Sequence, residues 1–234
     1  MTIPVVILAG GLGKRLREKA INKPKALIDV AGKPFIERQL YYLASQGIKE
    51  IVICTAHLGK QIRDFVGDGT YFNLKISYSD DGIKLLGTGG SIKKATKILG
   101  EVFFILYGDS FLPINFSLVE KAYFQQNKPA LMTVLRNKNI LDKSNVFFEN
   151  KSVKYNKKKP HKSMNYIDYG LNVVKSSIFN NFPSDKMFDL ADVFEDLSNK
   201  DMLAGLEVYD RFYEIGSIKG LNDTIEFFKK SGNN

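Results

Sequence analysis

Apolar and polar positions along the chain follow two regimes. In the first, residues 1–110, short apolar runs alternate with segments whose apolar residues recur at helical spacing. Ile3 to Ala9 is an apolar run ending in glycines, the pattern of a buried strand. Phe35 to Gln46 places Phe35, Ile36, Leu40 and Leu43 on one helical face and stops at Gly47. Glu50 to Thr55 reads as a second strand, Gly59 to Val66 as a helix and Lys75 to Tyr78 as a third strand. Gly90 to Leu99 reads as a third helix, and Val102 to Tyr107 is a very apolar fourth strand running into Gly108-Asp109. This alternation predicts a mainly parallel sheet covered by helices on both faces.

The second regime, residues 111–230, is richer in strands. Pro129 to Arg136, Val146 to Glu149, Ser152 to Tyr155 and Tyr169 to Val174 predict strands, with Asn150-Lys151 as a hairpin turn. Met187 to Leu197 and Ile218 to Lys230 predict helices, the first opening near Asp189 and the second preceded by Gly216-Ser217. No linker rich in Pro, Gly or Ser separates the halves, and no repeat recurs. One domain over residues 1–230 is therefore expected, with 231–234 as a disordered tail.

Composition narrows the class without naming a function. Hydrophobic content of 44% and charged content of 25% are those of an ordinary globular protein. No apolar run approaches a membrane span, and the N-terminus lacks a charged segment and cleavage site, so neither a membrane nor export is expected. The single cysteine, Cys54, allows no internal disulfide and suits a reducing, cytoplasmic setting. A net charge of +9 fits either a solvated lysine-rich surface or attraction for an anionic partner. The basic residues are dispersed, apart from Lys157-Lys158-Lys159 and the group Lys14, Arg15 and Arg17. With no aromatic-interleaved basic stripe, a nucleic-acid partner is not expected.

Five short elements carry chemistry. Leu8-Ala9-Gly10-Gly11-Leu12-Gly13-Lys14-Arg15-Leu16 follows the first strand. Its glycines let a bound group approach the backbone, free N–H donors form an anion nest, and Lys14 and Arg15 add positive charge. Its spacing is neither that of a P-loop nor of the dinucleotide fingerprint, and a tight turn with a basic patch is the plainer reading. Lys23-Pro24-Lys25-Ala26-Leu27 reads by itself as an extended loop with two solvated lysines. Leu86-Gly87-Thr88-Gly89-Gly90-Ser91 opens a helix, and its glycines leave room for a flat ring against the backbone. Gly108-Asp109-Ser110 puts a carboxylate at the carboxyl end of a central strand, where open α/β sheets bind ligands and where Mg²⁺ is held by few carboxylates plus phosphates. Tyr213-Glu214-Ile215-Gly216-Ser217 offers a second carboxylate, Glu214.

In that order, LAGGLGKRL, KPKAL, GKPFIE, LGTGGSI, YGDS and FYEIGS resemble the sugar-1-phosphate nucleotidyltransferases, or NDP-sugar pyrophosphorylases, over roughly Ile3 to Leu221. His57 to Ser79 and the GTGG stretch look most like bacterial mannose- or heptose-1-phosphate guanylyltransferases and N-acetylmuramate-1-phosphate uridylyltransferase. The resemblance implies a Rossmann-like three-layer α/β/α fold with a mainly parallel mixed central sheet and a smaller β-rich acceptor-binding part. Residues 1–110 would be the nucleotide-binding half and 111–230 the acceptor-binding half. Leu8, Ala9, Gly10, Gly11, Gly13, Gly87 and Thr88 would bind the nucleotide. Arg15, Lys25 and Asp109 would be catalytic, and Asp109 with Glu214 would hold Mg²⁺. Gly89, Lys159, Tyr169, Gly170 and Asn172 would line the acceptor site. Glu214 stands where the family usually has Asp. Lys158 stands where many members have the Glu of Glu-Lys-Pro, so recognition of sugar hydroxyls must differ or the acceptor carries extra negative charge. His161 and Asp168 lie near this pocket by sequence.

The implied reaction is in-line attack of an acceptor phosphate on the α-phosphorus of an NTP. A phosphate is already anionic, so no general base is required, which suits a chain with only His57 and His161 as histidines. The partners expected are an NTP and a phosphorylated acceptor, in a monomer or homodimer, with the NDP-sugar serving cell-surface glycan synthesis. Two other readings stay open: a cytidylyl- or guanylyltransferase for a non-sugar phosphate, and an inactive nucleotide-sensing subunit.

Overall fold

The computed structural model describes residues 3–11, 22–82, 84–184 and 186–231. Strands β1 (Val5–Leu8), β4 (Glu50–Thr55), β5 (Lys75–Asp80) and β6 (Val102–Tyr107) alternate with helices α1 (Phe35–Ser45), α2 (Gly59–Val66) and α3 (Gly87–Ala95). A short hairpin, β2 (Asp29–Val30) and β3 (Lys33–Pro34), precedes α1. After β6 come β7 (Ser110–Phe111), α4 (Phe116–Gln125), β8 (Ala130–Arg136), β9 (Val146–Glu149), β10 (Ser152–Tyr155) and β11 (Tyr166–Lys175). The described chain closes with α5 (Leu190–Asn199), β12 (Leu203–Val208), β13 (Tyr213–Glu214) and α6 (Ile218–Lys230).

Nine strands form one sheet in the order β5-β4-β1-β6-β11-β8-β12-β10-β9, so both regimes of the sequence share it. The β5-β4-β1-β6 side is parallel; β11 enters antiparallel between β6 and β8, and β12 runs parallel to β8. The sheet is mixed because α4 carries the chain from β6 to β8 in the same direction, whereas β9, β10 and β11 follow connections without a helix. Asn150 and Lys151 join β9 to β10 with both φ values positive (50° and 64°), the turn that Asn-Lys predicts between these strands.

The alternation of side chains across the pleat splits the core into two layers. On one face, Val5, Ile7, Phe104 and Leu171 pack against α1 and α4 through Leu40, Leu43, Phe116 and Val119. On the other, Val6, Phe103, Ile105 and Val174 meet α3 and α5 through Ile92, Ala95, Phe194 and Leu197. The carboxyl ends of β1, β4, β5 and β6 consequently open together at one edge, where the loops carry most of the residues singled out above. The proposed tail falls at 232–234, outside the described residues, apart from Ser231.

Candidate active site

A cleft of about 320 Å³ lies at the carboxyl ends of the parallel strands. Leu8, Ala9, Gly10 and Gly11 form one wall, Lys25 and Asp109 stand at one end, and Gly87 and Thr88 at the other. Eight of the predicted residues thus meet in one place. Gly13 and Arg15, with Lys14 and Arg17, lie outside the described residues.

The Lys25–Asp109 end is built by long-range pairing. Lys25 Nζ donates to Asp109 Oδ2 at 3.0 Å, and the two side chains are only partly exposed. Asp109 sits between β6 and β7, and β7 pairs with β13 so that Ser110 faces Glu214. Ile215 N donates to the Asp109 carbonyl at 2.9 Å, tying the two loops side by side. Buried Gln39 on α1 clamps the Asp109 loop from below: its Nε2 donates to the carbonyls of Tyr107 (3.2 Å) and Ser110 (2.7 Å).

Gly216 marks where the charges converge. A Cβ placed on it would lie 2.9 Å from Glu214 Oε2, 3.1 Å from Asp109 Oδ2 and 3.5 Å from Lys25 Nζ. Two carboxylate oxygens and an ammonium therefore face one small space that only glycine leaves open. This oxygen set fits Mg²⁺, which takes one or two carboxylates and completes its shell with substrate phosphates and water. Among the described residues no group of three His, Cys, Asp or Glu side chains gathers, so the protein would supply a minority of the ligands. Glu214 is partly engaged already. Its Oε2 accepts from Gly216 N and from Ser217 N (3.0 Å), and its Oε1 accepts from Ser217 Oγ, at the N-terminus of α6 where a negative charge is favoured. The extra methylene relative to Asp is accommodated because residue 220 is glycine: a Cβ there would overlap Glu214 Oε1.

At the other end, the glycines of α3 serve a purpose that their spacing does not reveal. Gly87 has φ +74°, and a Cβ on Gly89 would overlap the Phe188 ring. Gly89 N donates to the Phe188 carbonyl at 3.1 Å. Gly89 is buried beneath Phe188, so the room it leaves is filled by the protein itself and not by an acceptor. Thr88 lines the cleft, but its hydroxyl donates to Asp189 and accepts from Leu190 N at 2.8 Å, capping α5.

The acceptor-side predictions divide. Asn172 is fully buried; its Nδ2 donates to Asp168 Oδ1 at 3.3 Å and its Oδ1 has no protein partner. Gly170, with φ +103°, sits in the bulge between Asp168 and Asn172 and donates its N–H to Asp168 Oδ1 at 3.0 Å. Burial pushes the Asp168 carboxyl up, against these hydrogen bonds and the Lys157 charge. Tyr107, which lines the cleft, is pushed up first by burial and then by the charges of Asp168, Tyr155, Asp189 and Asp109. Tyr169 departs from the prediction: strand alternation turns its side chain to the opposite face, where it packs against Phe212 in the core. Lys159 is exposed in the loop after β10 and does not line the cleft. Lys158 pairs with Asp192 of α5, and His161 is an exposed loop residue bonded to Ser163.

Sequence reasoning missed Gln39, Cys54, Asp81, Ser91, Tyr107 and Met187, all but the first of which line the cleft. Asp81 was findable by the rule that singled out Asp109, an acid just past the carboxyl end of a parallel strand. Gln39, on a helix far from Asp109 in sequence, carried no such signal.

Along most of its length the chain is similar to known proteins. The family model described as "Nucleotidyl transferase" matches residues 4–231. A D-glycero-alpha-D-manno-heptose 1-phosphate guanylyltransferase of Campylobacter jejuni is 28% identical over 214 residues, 90% of this chain and 93% of that one. An N-acetylmuramate alpha-1-phosphate uridylyltransferase of Neisseria meningitidis is 42% identical over 113 residues, 48% of this chain and 49% of its own. Among solved structures, HddC from Yersinia pseudotuberculosis superposes with a TM-score of 0.80 at 25% identity, covering 97% of this chain and 100% of that one. The same protein complexed with GMP-PN gives 0.79 at 25% identity, with 97% and 100% covered. With the family model spanning all but the ends of its sequence, this chain belongs to the nucleotidyl transferase family.

Proposed function

We propose that this protein is a sugar-1-phosphate nucleotidyltransferase: it transfers the nucleoside monophosphate of an NTP to a sugar 1-phosphate and releases pyrophosphate. The observation that carries the reading is the convergence of Lys25, Asp109 and Glu214 on one space beside Gly216, at the end of a cleft walled by Gly10 and Gly11. An oxygen of the acceptor phosphate forms the new bond to the α-phosphorus as the bond to the β-phosphate oxygen breaks. The acceptor arrives as an anion, so the protein has no proton to remove and works by positioning and charge compensation. Lys25 holds phosphate oxygens at the reacting centre, while Gly10 and Gly11 let the polyphosphate lie against the backbone. A divalent cation, Mg²⁺ by the donor set, would supply further neutralisation of those oxygens when held by Asp109 with Glu214. Arg15 is assigned to the triphosphate by its place in the motif. Asn172 and Gly170 are assigned to the acceptor by their place in the motif, and Asp168 joins them through its hydrogen bonds to both. The Campylobacter and Neisseria relatives are named for sugar 1-phosphate substrates.

An NDP-sugar is an activated glycosyl donor, so we place the product ahead of glycosyl transfer into a cell-surface glycan, in the cytoplasm where NTPs reside. No helix among the described residues is long and apolar enough to cross a membrane. The test is pyrophosphate release, with Mg²⁺, from the four NTPs crossed against mannose, glucose, heptose and N-acetyl sugar 1-phosphates, with phosphocholine as a non-sugar. Turnover with one sugar pair is expected; turnover confined to phosphocholine would remove the sugar, and none with nucleotide bound would leave a sensor.

A further inference from the structure

Asp81 is the acidic group in the cleft that the transfer reaction does not use. It follows β5, its N–H donates to the Thr55 carbonyl at 2.8 Å, and its half-buried carboxylate borders the cleft with Cys54 and Ser91. Its two oxygens share the one hydroxyl proton of Ser91, at 2.7 and 2.8 Å, and Oδ2 also accepts from Leu86 N at a long 3.3 Å. A carboxylate has about four acceptor sites, so much of its capacity is free. Burial raises its pKa despite the Ser91 and Leu86 hydrogen bonds and the Lys94 charge, with Asp80 adding to the rise. Lys94 Nζ donates to the Asp80 carbonyl, not to the Asp81 side chain.

A carboxylate with spare acceptor capacity repels a polyphosphate unless a cation bridges the two, so Asp81, set apart from the Asp109–Glu214 pair, is assigned to the uncharged part of the nucleotide. Strand order supports this. Asp81 leaves β5 and Asp109 leaves β6, three strand spacings apart, on the order of 14 Å. That is the reach of a nucleotide from base edge to α-phosphate with one polar contact at either end. Leu85, Gly87 and Met187 line the cleft on the Asp81 side and offer apolar surface to a flat ring.

We propose that Asp81 selects guanine, its carboxylate accepting the adjacent N1–H and N2–H donors of the base, so that the substrate is GTP. The inference rests on the nucleotidyl-transfer reading and names its nucleotide. Only guanine presents two neighbouring donors in that geometry. Adenine and cytosine offer one amino group beside a ring nitrogen acceptor, and uracil flanks its N3–H with two carbonyls, so each sets a lone pair against the carboxylate. Ser91 is the positioning residue, since its hydroxyl bridges both Asp81 oxygens and fixes the plane of the carboxylate.

The experiment is calorimetric binding of GTP, ITP, dGTP, UTP, CTP and ATP, with Mg²⁺, to the wild type, Asp81→Asn and Ser91→Ala. The wild type should bind GTP about tenfold or more tighter than ITP, which lacks the 2-amino group, and than the other three bases. It should bind dGTP as well as GTP. Asp81→Asn should bring GTP and ITP to within about twofold, and Ser91→Ala should narrow the same gap in part. Equal binding of GTP and ITP by the wild type would overturn the proposal whether or not either variant folds. Loss of dGTP with indifference to the base would assign Asp81 to the ribose instead. Tighter binding of another NTP would sink the guanine assignment and leave nucleotidyl transfer standing, whereas failure of every NTP to bind would fall on that reading.

Discussion

Gly216→Ala is the sharpest perturbation of the reacting centre, because it adds one methyl and changes no charge. The φ of Gly216 lies outside the left-handed region, so alanine brings no backbone strain of that kind. The new Cβ would lie 2.9 Å from Glu214 Oε2, 3.1 Å from Asp109 Oδ2 and 3.5 Å from Lys25 Nζ, inside van der Waals contact for the first two. Insertion of a methylene-sized group into a packed space costs about 1–3 kcal/mol. Here the carboxylates border an open cleft and can yield into it, so the fold should lose less than about 1 kcal/mol, or roughly 2–4 °C in Tm for a chain of this size. They yield into the space that the α-phosphate and its cation need. Moved onto the transition state, the same 1–3 kcal/mol is a loss of roughly 5- to 150-fold in kcat. The assay is the initial rate of pyrophosphate release with the best NTP and sugar 1-phosphate pair, over a Mg²⁺ titration, beside a thermal melt. A kcat within about twofold of wild type at unchanged Tm would refute the convergence argument. A fall in Tm beyond about 10 °C would show instead that Gly216 serves the fold.

Three further outcomes are expected. Gly220→Ala should destabilise the protein by about 2 kcal/mol in urea unfolding, because its Cβ overlaps Glu214 Oε1. Glu214→Asp in the same chain should recover part of that loss, the Cβ still lying 2.7 Å from the backbone carbonyl oxygen of residue 214. This coupling is read from the double-mutant cycle, and additive losses would mean the two side chains do not meet. Asp168 has a folded-state pKa raised by burial, so its contribution to stability is present at low pH and lost as pH rises through that value. Asp168→Asn should therefore raise Tm at pH 7.5, with the gain fading towards pH 4; a lower Tm at pH 7.5 would contradict this. Gln39→Leu removes both donors to the Tyr107 and Ser110 carbonyls. It should cost about 1–3 kcal/mol of stability and lower kcat with little change in nucleotide Kd, while a change in Kd alone would place Gln39 elsewhere.

What could be read from the sequence follows the range of the forces involved. Strands β1, β4 and β6 were legible because each is buried on both faces and shows as a near-continuous apolar run, as Val102–Tyr107 does. Helix α4 was missed although its signals are local: Asn115 Oδ1 accepts from Leu118 N at 3.2 Å, and Phe116, Val119 and Tyr123 share one buried face. Strand β12 was missed because Gly205 interrupts its pattern. That glycine is required where Phe148 and Val153 of the β9–β10 hairpin cross over it, a contact no local window contains.

The site itself divides in the same way. Lys25, Asp109 and Glu214 were recognisable one at a time, but what makes them a site is the two-residue pairing of β7 with β13, and two residues carry no strand pattern of their own. The glycines of α3 were misread for the converse reason. Their motif is compatible both with a ligand lying on the backbone and with the Phe188 ring doing so, and only the fold places Phe188 on Gly89. Neighbouring positions in one motif therefore act at different ranges: Gly87 lines the cleft, Thr88 caps α5 as well, and Gly89 belongs to the core contact. Substitution at 89 should then act through packing, and substitution at 87 through both packing and the nucleotide, a distinction that the motif alone cannot make.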